Sequence, residues 1–201
     1  MYSLSEIETT SKRASKAAGY SWGMAEEIGK ATSSLELFGL QGVKNLNLYL
    51  NIIKEKHPEK ISKIKRENKH DELCPIYCGV ALLDQVQEID LLRKITFYNL
   101  SYPILILAFI SKASEVLGKK ILVQFANSSF LMNFNKSIFA KNLDSQAIAS
   151  VSDISIEILD NEDSFSIYEW QELSKLSEKT FVEETEEKKI SGAGAGLTDN
   201  D

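Results

Sequence analysis

The chain is expected to be an α+β protein: three amphipathic helices, then a mixed, largely antiparallel sheet with packed helices, then a Gly-rich C-terminal tail. Three observations predict this. Apolar residues recur at helical spacing through the first 57 residues. Beyond residue 88, short runs rich in isoleucine, valine and phenylalanine alternate or cluster as strands do. Glycine and proline stand where these periodic segments should stop.

Ser3 and Glu6 have capping-box spacing, in which each side chain satisfies the other's backbone amide, so a helix should begin at Leu4. Leu4, Ile7, Ser11, Ala14 and Ala18 would share its inner face, with Gly19 as the stop. Met24, Ile28, Ala31, Leu35 and Phe38 form the stripe of a second helix, ended by Gly39. Val43, Leu46, Leu50 and Ile53 mark a third, broken at His57-Pro58. Ala17, Ala18, Gly23, Ala25 and Gly29 are small enough to let helices approach closely.

Residues 54–69 carry seven basic and three acidic side chains, which reads as a solvated bridge. Glu88 to Leu100 is expected to pair as a strand. A helix should run from Pro103 to a stop at Gly118, because proline is tolerated in a first turn and glycine favours the position after the last. Two apolar runs around Asn127-Ser128-Ser129 suggest a hairpin, and Val151 to Leu159 a strand with Ile154, Ile156 and Ile158 on one face. Ile167, Trp170, Leu173 and Leu176 fall at helical spacing in a last helix. The expected organisation is a helical part over 1–57, a polar bridge over 58–72, an α+β part over 73–180 and a tail over 181–201.

Composition narrows the function classes. With 43% hydrophobic and 26% charged residues, the 201-residue chain can bury a sizeable core. A net charge of −6 argues against general affinity for nucleic acid or an anionic membrane. The basic stretch at 54–69 lacks interleaved aromatics, so nucleic-acid binding is not expected there either. The most apolar run, Tyr102 to Ile110, is far shorter than the roughly 20 residues that span a bilayer. The opening "MYSLSEIETTSKR" has acidic and polar residues where a signal peptide would be basic and then apolar. Cys74 and Cys78 are too few for a disulfide framework. The expected location is the cytoplasm.

Three stretches carry a family resemblance: "SLSEIETTSKRASKAAGYSWGMAEEIGKA" (Ser3 to Ala31), "CPIYCGVALLDQ" (Cys74 to Gln85) and "GAGAGLTDND" (Gly192 to Asp201). Their order and spacing resemble an uncharacterised bacterial family of roughly this length, a domain of unknown function. The resemblance implies no established activity. It does imply a shared pathway with, or a partner among, oxidoreductases of the malate/lactate dehydrogenase type.

The tail is the first candidate site. Gly192, Gly194 and Gly196 leave alternate residues without side chains, so this backbone could lie close to another surface or offer amides to an anion. A dinucleotide loop should open a helix, and here only Thr198, Asp199, Asn200 and Asp201 remain, so nucleotide binding is not expected. Asp199, Asp201 and the terminal carboxylate are hard-cation chemistry, with Thr198 and Asn200 as neutral oxygen donors. The plain alternative is a frayed end. Docking at a subunit or partner interface is the expectation.

Trp22, Glu26 and Lys30 share a helical face, on which Trp22 could wall a pocket and Glu26 or Glu27 act as acid or base. The plain reading is an aromatic anchor beside a solvated ion pair. His70, Cys74 and Cys78 have helical spacing, but Pro75 interrupts it and no second Cys/His pair exists, so no metal site is expected. Inert buried thiols are the expectation. Asp84, Glu88 and Asp90 read as a solvated acidic face.

The leading functional expectation is a non-catalytic accessory or interaction protein of bacterial metabolism, partnered by further copies of itself or by a metabolic enzyme. A small lyase- or hydrolase-type enzyme using Asp199, Asp201, Glu26 and Glu27, with a divalent cation, is the competing one. A small-molecule-binding sensor is the third. No cofactor is indicated.

Overall fold

The computed structural model describes residues 2–53, 60–143 and 148–181. Contacts divide the chain into two compact units, Met1–Asn161 and Glu162–Asp201. The fold class is α+β, with helices first and a mixed sheet after them.

In the first unit, α1 (Leu4–Ala17), α2 (Trp22–Leu37) and α3 (Gly42–Ile53) follow in order. The expected capping box starts α1: the Glu6 amide donates to Ser3 Oγ, and Ser3 N donates to the Glu6 carboxylate. That carboxyl is held below its usual range by these Ser3 hydrogen bonds. The inner face of α1 is rotated from the expected one. Ser11 and Ser15 are buried, whereas Leu4 and Ala14 are exposed. The cause is close packing on α2, where a Cβ on Gly29 would lie 2.7 Å from the Glu8 carbonyl oxygen. Small side chains fit at such a seam and large ones do not. The α2 stripe is as expected, with Ile28, Ala31 and Leu35 buried. On α3, Leu46, Leu50 and Ile53 are buried but Val43 is exposed. Tyr49 and Asn45 take the remaining inner positions. The expected break at His57-Pro58 lies outside the described residues.

Then come β1 (Glu67–Asn68), α4 (Pro75–Asp84), α5 (Val86–Leu92), β2 (Lys94–Ser101) and α6 (Ile104–Leu117). Here one expectation is corrected: Glu88 to Leu92 is helical, and the strand starts only at Lys94. Ile89 is buried on α5, and Val86 and Leu92 pack partly buried against the core on either side of it. Arg93, with φ of +62°, turns the chain from helix into strand. Gly118 ends α6 in the left-handed conformation, as expected.

The sheet is completed by β3 (Ile121–Phe125), β4 (Ser128–Asn133), β5 (Ser137–Lys141) and β6 (Ser150–Ile158). Its order is β1-β2-β6-β3-β4-β5, antiparallel throughout except for the β1–β2 pair. The hairpin turns at Ala126-Asn127, so Ser128 and Ser129 already belong to β4. One face presents Ile95, Phe97, Val123, Phe125, Phe130 and Met132 to the core, joined by Ile154, Ile156 and Ile158 of β6. Thr96, Tyr98, Gln124, Ser155 and Glu157 point the other way and none is buried. This alternation is what an antiparallel sheet with one covered face requires.

Against the covered face lies α6, which packs on β3 and β4 and also on α2, α3, α4 and α5. Every residue from Ile104 to Ser111 is buried, so the first two turns of α6 are enclosed on all sides, while Lys112, Glu115 and Val116 in its last turns are exposed. It meets α4 so closely that a Cβ on Gly79 would overlap the Phe109 ring. Gly79→Ala should therefore force the two helices apart and cost about 1–3 kcal/mol of stability in urea unfolding. Gly23, also helical, has nothing near its absent Cβ, and Gly23→Ala should stabilise by about 0.5 kcal/mol.

In the second unit, α7 (Ile167–Glu178) has the same capping box, with Ser166 and Glu169 as the pair. Phe165 stacks on Trp170 at 5.5 Å between centroids. An apolar residue before the cap packing on the fourth helical residue is a hydrophobic staple.

Candidate functional site

The tail residues Gly192, Gly194, Gly196, Thr198, Asp199, Asn200 and Asp201 lie outside the described residues. The other sequence candidates fall on α2. Trp22 opens the helix with over half its surface exposed, and the Lys16 ammonium sits 5.5 Å from its ring centre. Glu26 is bridged by Lys30 at 3.1 Å and by Lys12, from α1, at 3.2 Å. Hydrogen bonds from Lys30 and Lys12 hold its carboxyl below the usual range. It is therefore ionised at neutral pH rather than poised to exchange a proton. Glu27 pairs with Lys30 at 3.1 Å.

Glu27 and Lys30 line a cleft of about 240 Å³ that Trp22 and Glu26 do not. Its floor is Ala31, Leu83, Ala108 and Phe109, contributed by α2, α4 and α6. Across from Lys30 stand Lys112 on α6 and Asn135 in the β4–β5 turn. That turn is strained. Phe134 and Asn135 both have positive φ, +54° and +56°, and the Lys136 amide closes it on the Asn133 carbonyl at 3.0 Å. A bulky aromatic in this region is an outlier costing on the order of 1–3 kcal/mol.

Two buried serines of α6 hold the turn in place. Ser111 Oγ donates to Asn135 Oδ1 at 3.1 Å, and the Phe134 amide donates to Ser114 Oγ at 3.0 Å. Asn135 Nδ2 in turn donates to Glu115, the carboxylate that pairs with Lys112 at 2.7 Å. The cleft wall is thus built from α6 outward. No sequence spacing could have found it, because its residues span positions 27 to 135. The partial signal was Lys112, the only charge between Tyr102 and Ser114.

A second constellation is buried. Cys74 caps α4, and its sulfur accepts from the Tyr49 hydroxyl at 2.8 Å and the Tyr77 amide at 3.4 Å. The Tyr20 hydroxyl lies 3.6 Å from the same sulfur. The α2 entry, α3 and α4 therefore meet at one atom. Burial pushes the Cys74 and Cys78 thiols up, as expected for inert cysteines, and pushes the Tyr20 and Tyr49 phenols up as well. Pro75 stands at the first helical position, so His70 precedes the helix and does not share a face with the cysteines. The acidic positions behave individually: Asp84 and Glu88 are exposed, while Asp90 is clasped by Lys119 through both oxygens at 2.8 Å.

Residues 2–74 match the model of a family described as "Protein of unknown function (DUF3726)". The match covers α1 to β1 and ends on Cys74, just over a third of the chain. Of the three stretches that carried the resemblance, it includes the first whole and only the opening residue of the second. Neither a curated protein nor a solved structure matches the chain. No helix among the described residues is long and apolar enough to cross a membrane.

Two outcomes test the sulfur joint. Cys74→Ala removes the acceptor from a buried hydroxyl and should cost about 1–3 kcal/mol in urea unfolding. All four raised groups titrate more readily when unfolded, near pH 8.5 for a thiol and 10 for a phenol. The unfolded chain then holds fewer protons than the folded one, so stability falls as pH rises. The urea midpoint should be level between about pH 6 and 8 and drop between about pH 8.5 and 11.

Proposed function

We propose that the protein is a non-catalytic accessory protein of bacterial metabolism that works by protein–protein contact through its C-terminal unit. The observation that carries this reading is α7. It is fully capped and stapled, yet none of its residues is buried among the described residues. Ile167, Trp170, Leu173 and Leu176 are each more than half exposed. A helix of this length is marginal alone in water, so a sequence that specifies its start so fully and leaves its stripe uncovered is suited to a groove on another protein. The tail from 182 onward follows directly and would extend the same contact.

Two further observations support a non-catalytic role. Both thiols are buried with raised pKa, and Glu26 is held ionised by two lysines. The resemblance stated above supports an oxidoreductase of the malate/lactate dehydrogenase type as partner, in the cytoplasm. The alternative partner is a second copy.

Native mass spectrometry of the full chain with such an oxidoreductase from the same host is the test. A stoichiometric complex should form and be lost in Leu173→Glu, while the melting temperature of the variant stays unchanged. A homodimer lost in the same variant assigns the contact to a second copy. A bare monomer for the wild-type chain under both conditions refutes the reading.

A further inference from the structure

The cleft between α2, α6 and the β4–β5 turn combines an apolar floor with two ammonium groups from different helices. We infer that it is a binding site for a small monocarboxylate with a short apolar body. This goes beyond the contact made by α7 and uses none of its residues.

Donor capacity is the first argument. An ammonium has three N–H donors. Lys30 uses two, on Glu26 and Glu27, and Lys112 one, on Glu115. Donors therefore remain on both sides of the cleft. Ser34, half-buried on its wall, has no side-chain partner among the described residues and adds a hydroxyl.

Charge selects the anion. Of the charged groups that line the cleft, Lys30 and Lys112 stand against Glu27. One positive charge is in excess, which suits a monoanion; a second negative charge on the ligand would meet Glu27. Size and polarity select the rest. A volume of about 240 Å³ is smaller than the usual range for drug-sized ligands. Ala108 and Phe109 are buried beneath it, an apolar surface that inorganic phosphate cannot use and an alkyl chain can.

The strained turn completes the argument. Asn135 is held into the cleft by Ser111 and Glu115, and Phe134 beside it takes a positive φ that a bulky residue rarely adopts. Such strain persists where the surroundings over-determine it, and it clusters at ligand clamps.

The test is titration of the full chain with pentanoate, read by amide NMR shifts and calorimetry, beside succinate and inorganic phosphate. Saturable pentanoate binding is expected, with shifts concentrated at Ala31, Phe109 and Asn135. Lys112→Gln should weaken it by about tenfold or more, the loss of one charged hydrogen bond. Ser34→Leu, which fills the wall, should abolish it while the melting temperature holds. No saturable shift at these residues overturns the inference, as does tighter binding of succinate or phosphate, or pentanoate binding that survives both variants.

Discussion

Burial of the first two turns of α6, Ile104 to Ser111, on every side is the constraint from which the first unit follows. Turns enclosed all round cannot be covered by one layer. The sheet covers one side through β3 and β4, and α2, α3, α4 and α5 cover the rest. The N-terminal helices and the sheet consequently share a single core that includes Leu35 and Tyr49 on one side and Phe130 and Ile156 on the other. The segment matched by the family model meets the rest of this core twice, through α2 and α3 against α6 and through β1 beside β2.

Polar groups do in this core what apolar ones cannot, which is to set position. Ser111 and Ser114 are fully buried on α6, and each reaches the β4–β5 turn. Ser114 also donates to the Lys119 carbonyl, so one hydroxyl ties the end of α6 to the turn beyond β4. The Cys74 sulfur does the same for α2, α3 and α4, with two phenols and an amide converging on it. Buried hydrogen bonds are directional and costly to leave unmade. They therefore define registry where ridge-and-groove packing alone would allow sliding. The cleft of Lys30 and Lys112 owes its shape to this registry.

Much of the fold was legible because its signals are local. The α1 capping box, the Gly118 stop, the β6 alternation and the α2 stripe each depend on residues within a turn or two, and each appears as read. The misreadings share a cause. The Val43 and Ala14 positions and the Glu88–Leu92 helix were decided by what packs across from them. A periodic pattern names a face to within about a residue, and a neighbour such as Gly29 or Gly42 decides which residue within it faces inward. The candidate site was less legible still. Glu27 was visible, but Lys112 and Asn135 enter from elements that only the folded chain brings to it.

The contrast between α6 and α7 bears on what the protein is for. Both carry isoleucine, leucine and aromatic residues at high density. In α6 the start lacks a side-chain cap and packing specifies the helix. In α7 the start is specified twice over, by the Ser166–Glu169 box and the Phe165–Trp170 staple, and burial contributes nothing. A helix that depends on its surroundings is a core element, since it forms when they form. One that encodes its own beginning can be presented before its partner arrives. Pre-organisation of this kind lowers the ordering cost of association, which supports the contact proposed for α7.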